Sequence, residues 1–120
     1  MDLWNKKNYM RYTSLKSTLH QFGRETVEVI KKDIRYKKAI DTGRLLGSIT
    51  YQLYDKGRGF EIDFFMVDYG KYVDEGTRYI KAREFFIRNI DLQYKKWSDK
   101  ITEAVSKDAV DDLTESLKKL

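Results

Sequence analysis

Cysteine and proline are both absent from this 120-residue chain, and histidine occurs only once, as His20. Without cysteine there is no disulfide framework, zinc ribbon, iron–sulfur cluster or thiol nucleophile. A single histidine excludes His-rich metal sites and multi-histidine relays. No proline marks a linker or breaks the long helical patterns. No apolar run approaches the ~18 residues that span a bilayer, so no membrane partner is expected. The opening Met1-Asp2-Leu3-Trp4-Asn5-Lys6 lacks the apolar stretch of a signal peptide, which makes the cytoplasm of the producing cell the expected place of synthesis. Phosphate loops of the forms GxGxxG and GxxxxGK[ST], the HExxH metal motif, the EF-hand loop and the GxSxG nucleophile elbow are all missing.

What remains is a charged but foldable chain. Hydrophobic residues make up 41% and charged residues 36%, the profile of a soluble globular protein. Its length suits one domain over residues 1–120. The net charge of +5 is uneven: residues 1–58 carry 13 basic and 6 acidic side chains, residues 59–120 carry 11 and 13. Such polarity suits either nucleic-acid contact or head-to-tail self-association through opposite ends; the simpler reading is two solvated faces.

Residues 1–12 show no periodicity and read as a mobile arm on which Trp4 and Tyr9 could dock. From Leu15 onward, Leu15, Leu19, Phe22, Thr26, Ile30 and Ile34 recur at steps of three and four, the stripe of an amphipathic helix. Thr13 or Ser14 is the expected N-cap. His20, beside the stripe, reads as a boundary residue. Lys31, Lys32, Arg35, Lys37 and Lys38 crowd the end of this helix. They complement the negative end of the helix dipole, and they are also a candidate phosphate-binding patch.

Asp41 to Ser48 reads as one helical turn with Leu45 and Leu46 turned inward and Gly47 ending it in a left-handed conformation. Ile49 to Tyr54 and Phe60 to Phe64 alternate and are rich in β-branched and aromatic residues; with the glycine-containing turn between them they predict a β-hairpin, extended through Val67 with a break in phase. Tyr69, Tyr72 and Val73 suit a short helix ended by Gly76. Phe86, Ile90, Tyr94, Trp97, Ile101, Val105 and Ala109, continued by Leu113, Leu117 and Leu120, predict a long final helix, with a kink or a second helix near Ser106-Lys107-Asp108. Residues 98–120 are the part expected to stand apart as a separate or mobile helix. The fold class is therefore α+β, an antiparallel hairpin flanked by an N-terminal helix and a long C-terminal helix.

Catalytic constellations are scarce. Glu61 and Asp63 share one strand face and could lie ~7 Å apart. That pair is the one candidate for carboxylate chemistry, and its simpler reading is the wet side of the hairpin. Asp74-Glu75 and Asp111-Asp112 are neighbours on helices, which point about 100° apart and form no dyad.

Three segments carry a resemblance. They are Thr42-Gly43-Arg44-Leu45-Leu46-Gly47-Ser48-Ile49, Tyr69-Gly70-Lys71-Tyr72-Val73-Asp74-Glu75-Gly76-Thr77, and Ala82-Arg83-Glu84-Phe85-Phe86. In this order the chain resembles the minor tail-component or tail-completion family of long-tailed bacteriophages of the Hong Kong 97 type. Its departures are Gly70 for alanine, Asp74 for glutamate and Glu84 for proline. The resemblance implies a structural protein of the virion, made in the bacterial host cytoplasm, that forms a typically sixfold ring at the head-proximal end of the tail. Its implied partners are copies of itself, the major tail tube protein and the head connector or stopper, with DNA passing through the lumen without sequence-specific binding. It implies no catalysis, no cofactor and no metal. The residues expected at subunit or partner interfaces are Arg44, Tyr72, Asp74, Glu75, Thr77 and Arg78. The alternative is a small DNA-binding protein acting through the basic run Lys31–Lys38.

Overall fold

The computed structural model describes residues 13–37, 42–57, 59–76 and 84–118. In chain order the elements are α1 (Thr13–Lys37), α2 (Thr42–Ser48), the strands β1 (Thr50–Asp55) and β2 (Phe60–Phe65), α3 (Tyr69–Glu75) and α4 (Ile87–Lys118). The architecture is the expected α+β one: a two-stranded antiparallel sheet with an N-terminal helix and a long C-terminal helix. The expected arm, residues 1–12, lies outside the described residues.

The stripe of α1 is buried along its whole length at Leu15, Leu19, Phe22, Thr26, Ile30 and Ile34, joined by Val27. At its start the expected cap from Thr13 or Ser14 is replaced by a distant one. Asp108 of α4 accepts hydrogen bonds from the backbone N–H groups of Ser14 and Leu15, at 2.9 and 2.8 Å. A carboxylate from a neighbouring helix thus satisfies two of the four orphan donors of the first turn.

Gly47 lies inside α2 rather than ending it; among the described residues the left-handed glycines are Gly57 and Gly76. The end of α2 is held by Ser48 instead. Its hydroxyl donates to the Leu45 carbonyl and accepts from the Val67 N–H, which ties α2 to the residues that follow β2.

The hairpin pairs Tyr51 with Phe64 and Leu53 with Ile62 on its inner face. Gly57, at φ 86°, makes the turn, and its N–H is held by the Asp55 carboxylate. Pairing stops at Phe65, so Met66 and Val67 do not extend the strand; Gly70 N–H bonds the Val67 carbonyl and begins the turn into α3. Gly76, at φ 79°, ends α3 as expected, its N–H donating to the Tyr72 carbonyl.

Two apolar clusters fill the space between the helices and the sheet. The larger contains Val27, Ile30, Ile34, Leu45, Ile49, Val73, Phe85 and Phe86; the smaller contains Leu15, Leu19 and Ala104, covered by Leu53, Phe60 and Ile101. Phe22 sits between them, edge-on to Phe64 and Trp97.

The final helix runs unbroken through Ser106-Lys107-Asp108, so no second helix begins there. Residues 98–108 are part of the packed helix pair, with Ala104 and Asp108 buried against the start of α1. From residue 109 to 118 every side chain is exposed.

Candidate interface surfaces

Of the residues expected at an interface, Arg44 and Tyr72 are both exposed. The Arg44 guanidinium lies 5.5 Å from the centre of the Tyr69 ring, a cation–π contact that holds the side chain over the start of α3. Tyr72 projects from α3 with 57% of its surface exposed, while Val73 beside it is buried in the core. Glu75 is exposed and lines a groove with Asp74, Glu84, Ile87, Arg88 and Asp91. Thr77 and Arg78 lie outside the described residues.

Asp74, at the floor of that groove, is not exposed as Arg44, Tyr72 and Glu75 are. It is buried; its Oδ1 accepts a 2.7 Å hydrogen bond from the Phe86 N–H, and its carbonyl accepts from the Glu84 N–H. The carboxylate therefore pins the residues that lead into α4, so its first role is an internal tie. The cause is the turn of α3, which aims position 74 inward beside Val73. Gly70 has a related explanation: a Cβ there would stand 2.7 Å from the Met66 sulfur and 3.0 Å from Leu45 Cδ1. Glu84 adopts φ 46° ahead of the helix and pairs with Arg88 at 3.8 Å.

In the basic run, Lys32 and Arg35 are exposed and Lys31 is half-buried. Spaced three and four apart, they share the outer side of α1. Lys37 is the last residue of α1, and Lys38 lies outside the described residues. Sequence reasoning missed Arg88, which stands across a shallow groove from Lys32, with Tyr36 and Leu92 on the rim. Tyr36 is 84% exposed. Among the described residues it is the aromatic side chain that lines this groove, and no sequence signal linked it to a cation more than fifty residues later.

Glu61 is exposed and Asp63 half-buried on the outer side of the ribbon, opposite Tyr54 and Gln52 respectively. His20 is engaged internally, with Nδ1 2.9 Å from the Tyr51 hydroxyl and the two rings edge-on. Among the described residues no group of three or more His, Cys, Asp or Glu side chains is arranged to hold a metal ion. No helix among them is long and apolar enough to cross a membrane.

The most densely engaged carboxylate was unremarked in the sequence. Glu25 Oε2 accepts hydrogen bonds from Trp97 Nε1 (2.6 Å), Gln93 Nε2 (2.8 Å) and Lys96 Nζ (3.1 Å). These donors, the indole first, hold its pKa down at about 2 against the opposing effect of burial.

Exposed apolar side chains gather on α4. Val110, Leu113 and Leu117 are each about 60% exposed at steps of three and four, on the side turned away from α1; Leu92 is half exposed. No family model, no curated protein and no solved structure matches this chain.

Proposed function

We propose that this protein is a structural component of a phage neck, a tail-completion or head–tail joining subunit that works as a ring of copies at the head-proximal end of the tail. The supporting observation is where the three resembling segments meet. Leu45 and Ile49 from the first, Val73 from the second, and Phe85 and Phe86 from the third all belong to one buried cluster. The segments are thus one packed unit, with Asp74 and Ser48 as its internal ties. What that unit leaves outside is Arg44, Tyr72 and Glu75 on α2 and α3, and the apolar stripe of α4.

A ring needs a heterologous interface, one patch meeting a different patch on the next copy. The Tyr72 surface and the stripe at Val110, Leu113 and Leu117 are two such patches on different elements. Aromatic and aliphatic anchors of this kind carry most of the affinity of an interface, while rim charges set orientation. Ring contacts, the tail tube protein below and the head connector or stopper above are the partners of this reading, and DNA passes through the lumen without being read.

The test is loss and rescue. Virus made without the gene should yield tails that fail to join heads, and the purified chain should restore joining. Normal particles made without it would end the proposal.

A second reading, duplex binding, is favoured by one observation: Lys32 and Arg35 lie exposed on one side of α1 with Arg88 across the groove. It predicts binding that weakens steeply with salt and is lost when these three cations are neutralised.

A further inference from the structure

The two long helices run antiparallel in a fixed register: Ser14 meets Asp108, Glu25 meets Trp97, and Asp33 meets Asn89. The two ends of the pair differ in kind. At one end α4 continues past Asp108 from residue 109 to 118, and every side chain there is exposed. This tip bears the apolar stripe of Val110, Leu113 and Leu117. It also bears Asp111, Asp112 and Glu115 against one cation, Lys118. At the other end is the shallow groove between the last turns of α1 and the first turns of α4. Its apolar part is Val29, Tyr36 and Leu92, and its cations are Lys32 and Arg88. Its acid, Asp33, accepts a hydrogen bond from Asn89 Nδ2 at 2.8 Å. The pairing of Arg88 with Glu84, at 3.8 Å and exposed on both sides, is weak.

An acidic tip with an apolar stripe and a basic groove with an apolar lining are complementary. Geometry decides how they can meet. Leu92 and Leu113 lie on one unbroken helix, about 30 Å apart along it. A chain therefore cannot seat its own tip in its own groove. Two tips laid side by side would bring the acids of both copies within about 10 Å, the width of a helix and close to the Debye length, where like charges still repel. A tip laid in the groove of another copy buries its stripe on Tyr36 and Leu92. It also sets its acids about one helix width from Lys32 and Arg88, where opposite charge favours the orientation.

We infer that the end of α4 is a docking ridge for a second copy of this chain, with Val110, Leu113 and Leu117 seated in the groove of the next copy on Val29, Tyr36 and Leu92. The contact is heterologous, so a pair of copies keeps one free ridge and one free groove. Few side chains take part, which puts it at the small end of specific interfaces and makes association depend on concentration. The inference deepens the neck reading by naming the surfaces through which copies meet, and it rests on that reading for the purpose of the contact. Its test uses purified protein and no virus, so its failure and a failure of tail joining are separate results.

Sedimentation of the full chain supplies the test. Average mass should rise with protein concentration up to about 1 mM, the range of weak specific contacts. Association should weaken about threefold between low and high salt, as screening removes the attraction of opposite charges. A ridge variant, Leu113→Ser with Leu117→Ser, and a groove variant, Tyr36→Ala with Leu92→Ser, should each associate about tenfold more weakly alone, the loss of two anchors. All four positions are exposed, so the unfolding midpoints should stay where they are. Mixed in equal amounts, the two variants should pair one to one with the affinity of the unsubstituted chain, because the first keeps a groove and the second keeps a ridge. A chain that stays monomeric throughout would overturn the inference. So would variants that do not complement each other, or a groove variant that associates at full strength, which would mean ridge against ridge. A short DNA duplex held in the groove of a monomeric chain would overturn it as well and assign the groove to nucleic acid.

Discussion

The indole Nε1 of Trp97 donates a 2.6 Å hydrogen bond to the carboxylate of Glu25, seventy-two residues earlier, and this contact clamps the middle of α1 to the first half of α4. Gln93 and Lys96 donate to the same oxygen, and the Lys100 ammonium lies 4.6 Å from the centre of the Trp97 ring. This polar knot joins the helix pair between two other polar ties, Asp108 to the Ser14 and Leu15 N–H groups and Asn89 to Asp33.

The knot makes stability depend on acid. Glu25 titrates near 4.5 when unfolded and at about 2 when folded. Its contribution is therefore complete above the unfolded value and is lost as pH falls from 4.5 toward 2. The side chain is 37% exposed, so solvent screening reduces the effect to roughly 1 kcal/mol. Thermal unfolding from pH 6 to pH 2.5 should show this decline, and Glu25→Gln should flatten its share of the slope.

Asp108→Ala should destabilise the fold by about 1–2 kcal/mol, the usual cost of losing a helix cap. Two backbone donors, Ser14 and Leu15, lose their acceptor. Asp108→Asn keeps one acceptor oxygen and should cost less. Urea unfolding of the two variants gives the comparison.

Gly23→Ala and Gly70→Ala should separate. A Cβ at Gly23 would stand 2.6 Å from the Tyr51 ring, which is held by His20 and packs against Phe64. At Gly70 the nearest atom is the sulfur of a flexible methionine. The first substitution should cost about 1–3 kcal/mol and the second under about 1 kcal/mol, since overpacking is tolerated where a neighbour can move.

The helical stripe of α1, the hairpin and the glycine that ends α3 were legible because, Gly23 and Thr26 of α1 apart, apolar residues occupy the buried positions of α1 and the inner face of the hairpin. In α4 they do not. The side facing α1 runs through Phe86, Ile90, Gln93, Trp97, Ile101, Ala104 and Asp108. A reading by residue type steps instead to Tyr94, Val105 and Ala109, which the structure leaves exposed. The slip comes from Gln93 and Asp108, polar side chains buried because their partners wait on α1, across sixty-eight and about ninety residues. Pattern along one helix carries no trace of a partner on another. Asp74 misled in the same way, as a surface-type residue whose acceptor role is set by the later Phe86.

Tyr72 and Asp74, two residues apart, should behave as opposites. Tyr72→Ala removes an exposed ring and should change stability by less than about 0.5 kcal/mol, while weakening ring assembly or tail joining. Asp74→Ala leaves the buried Phe86 N–H without its acceptor and should cost about 1–3 kcal/mol in unfolding. Parallel unfolding and assembly assays would show the contrast.

Electron cryomicroscopy of assembled virions addresses the neck reading most directly. The account predicts density for this chain as a ring at the head-proximal end of the tail, with Tyr72 and the outer stripe of α4 in contact with neighbouring copies or neck proteins. Complete, infectious virions with no such density at the neck would contradict it.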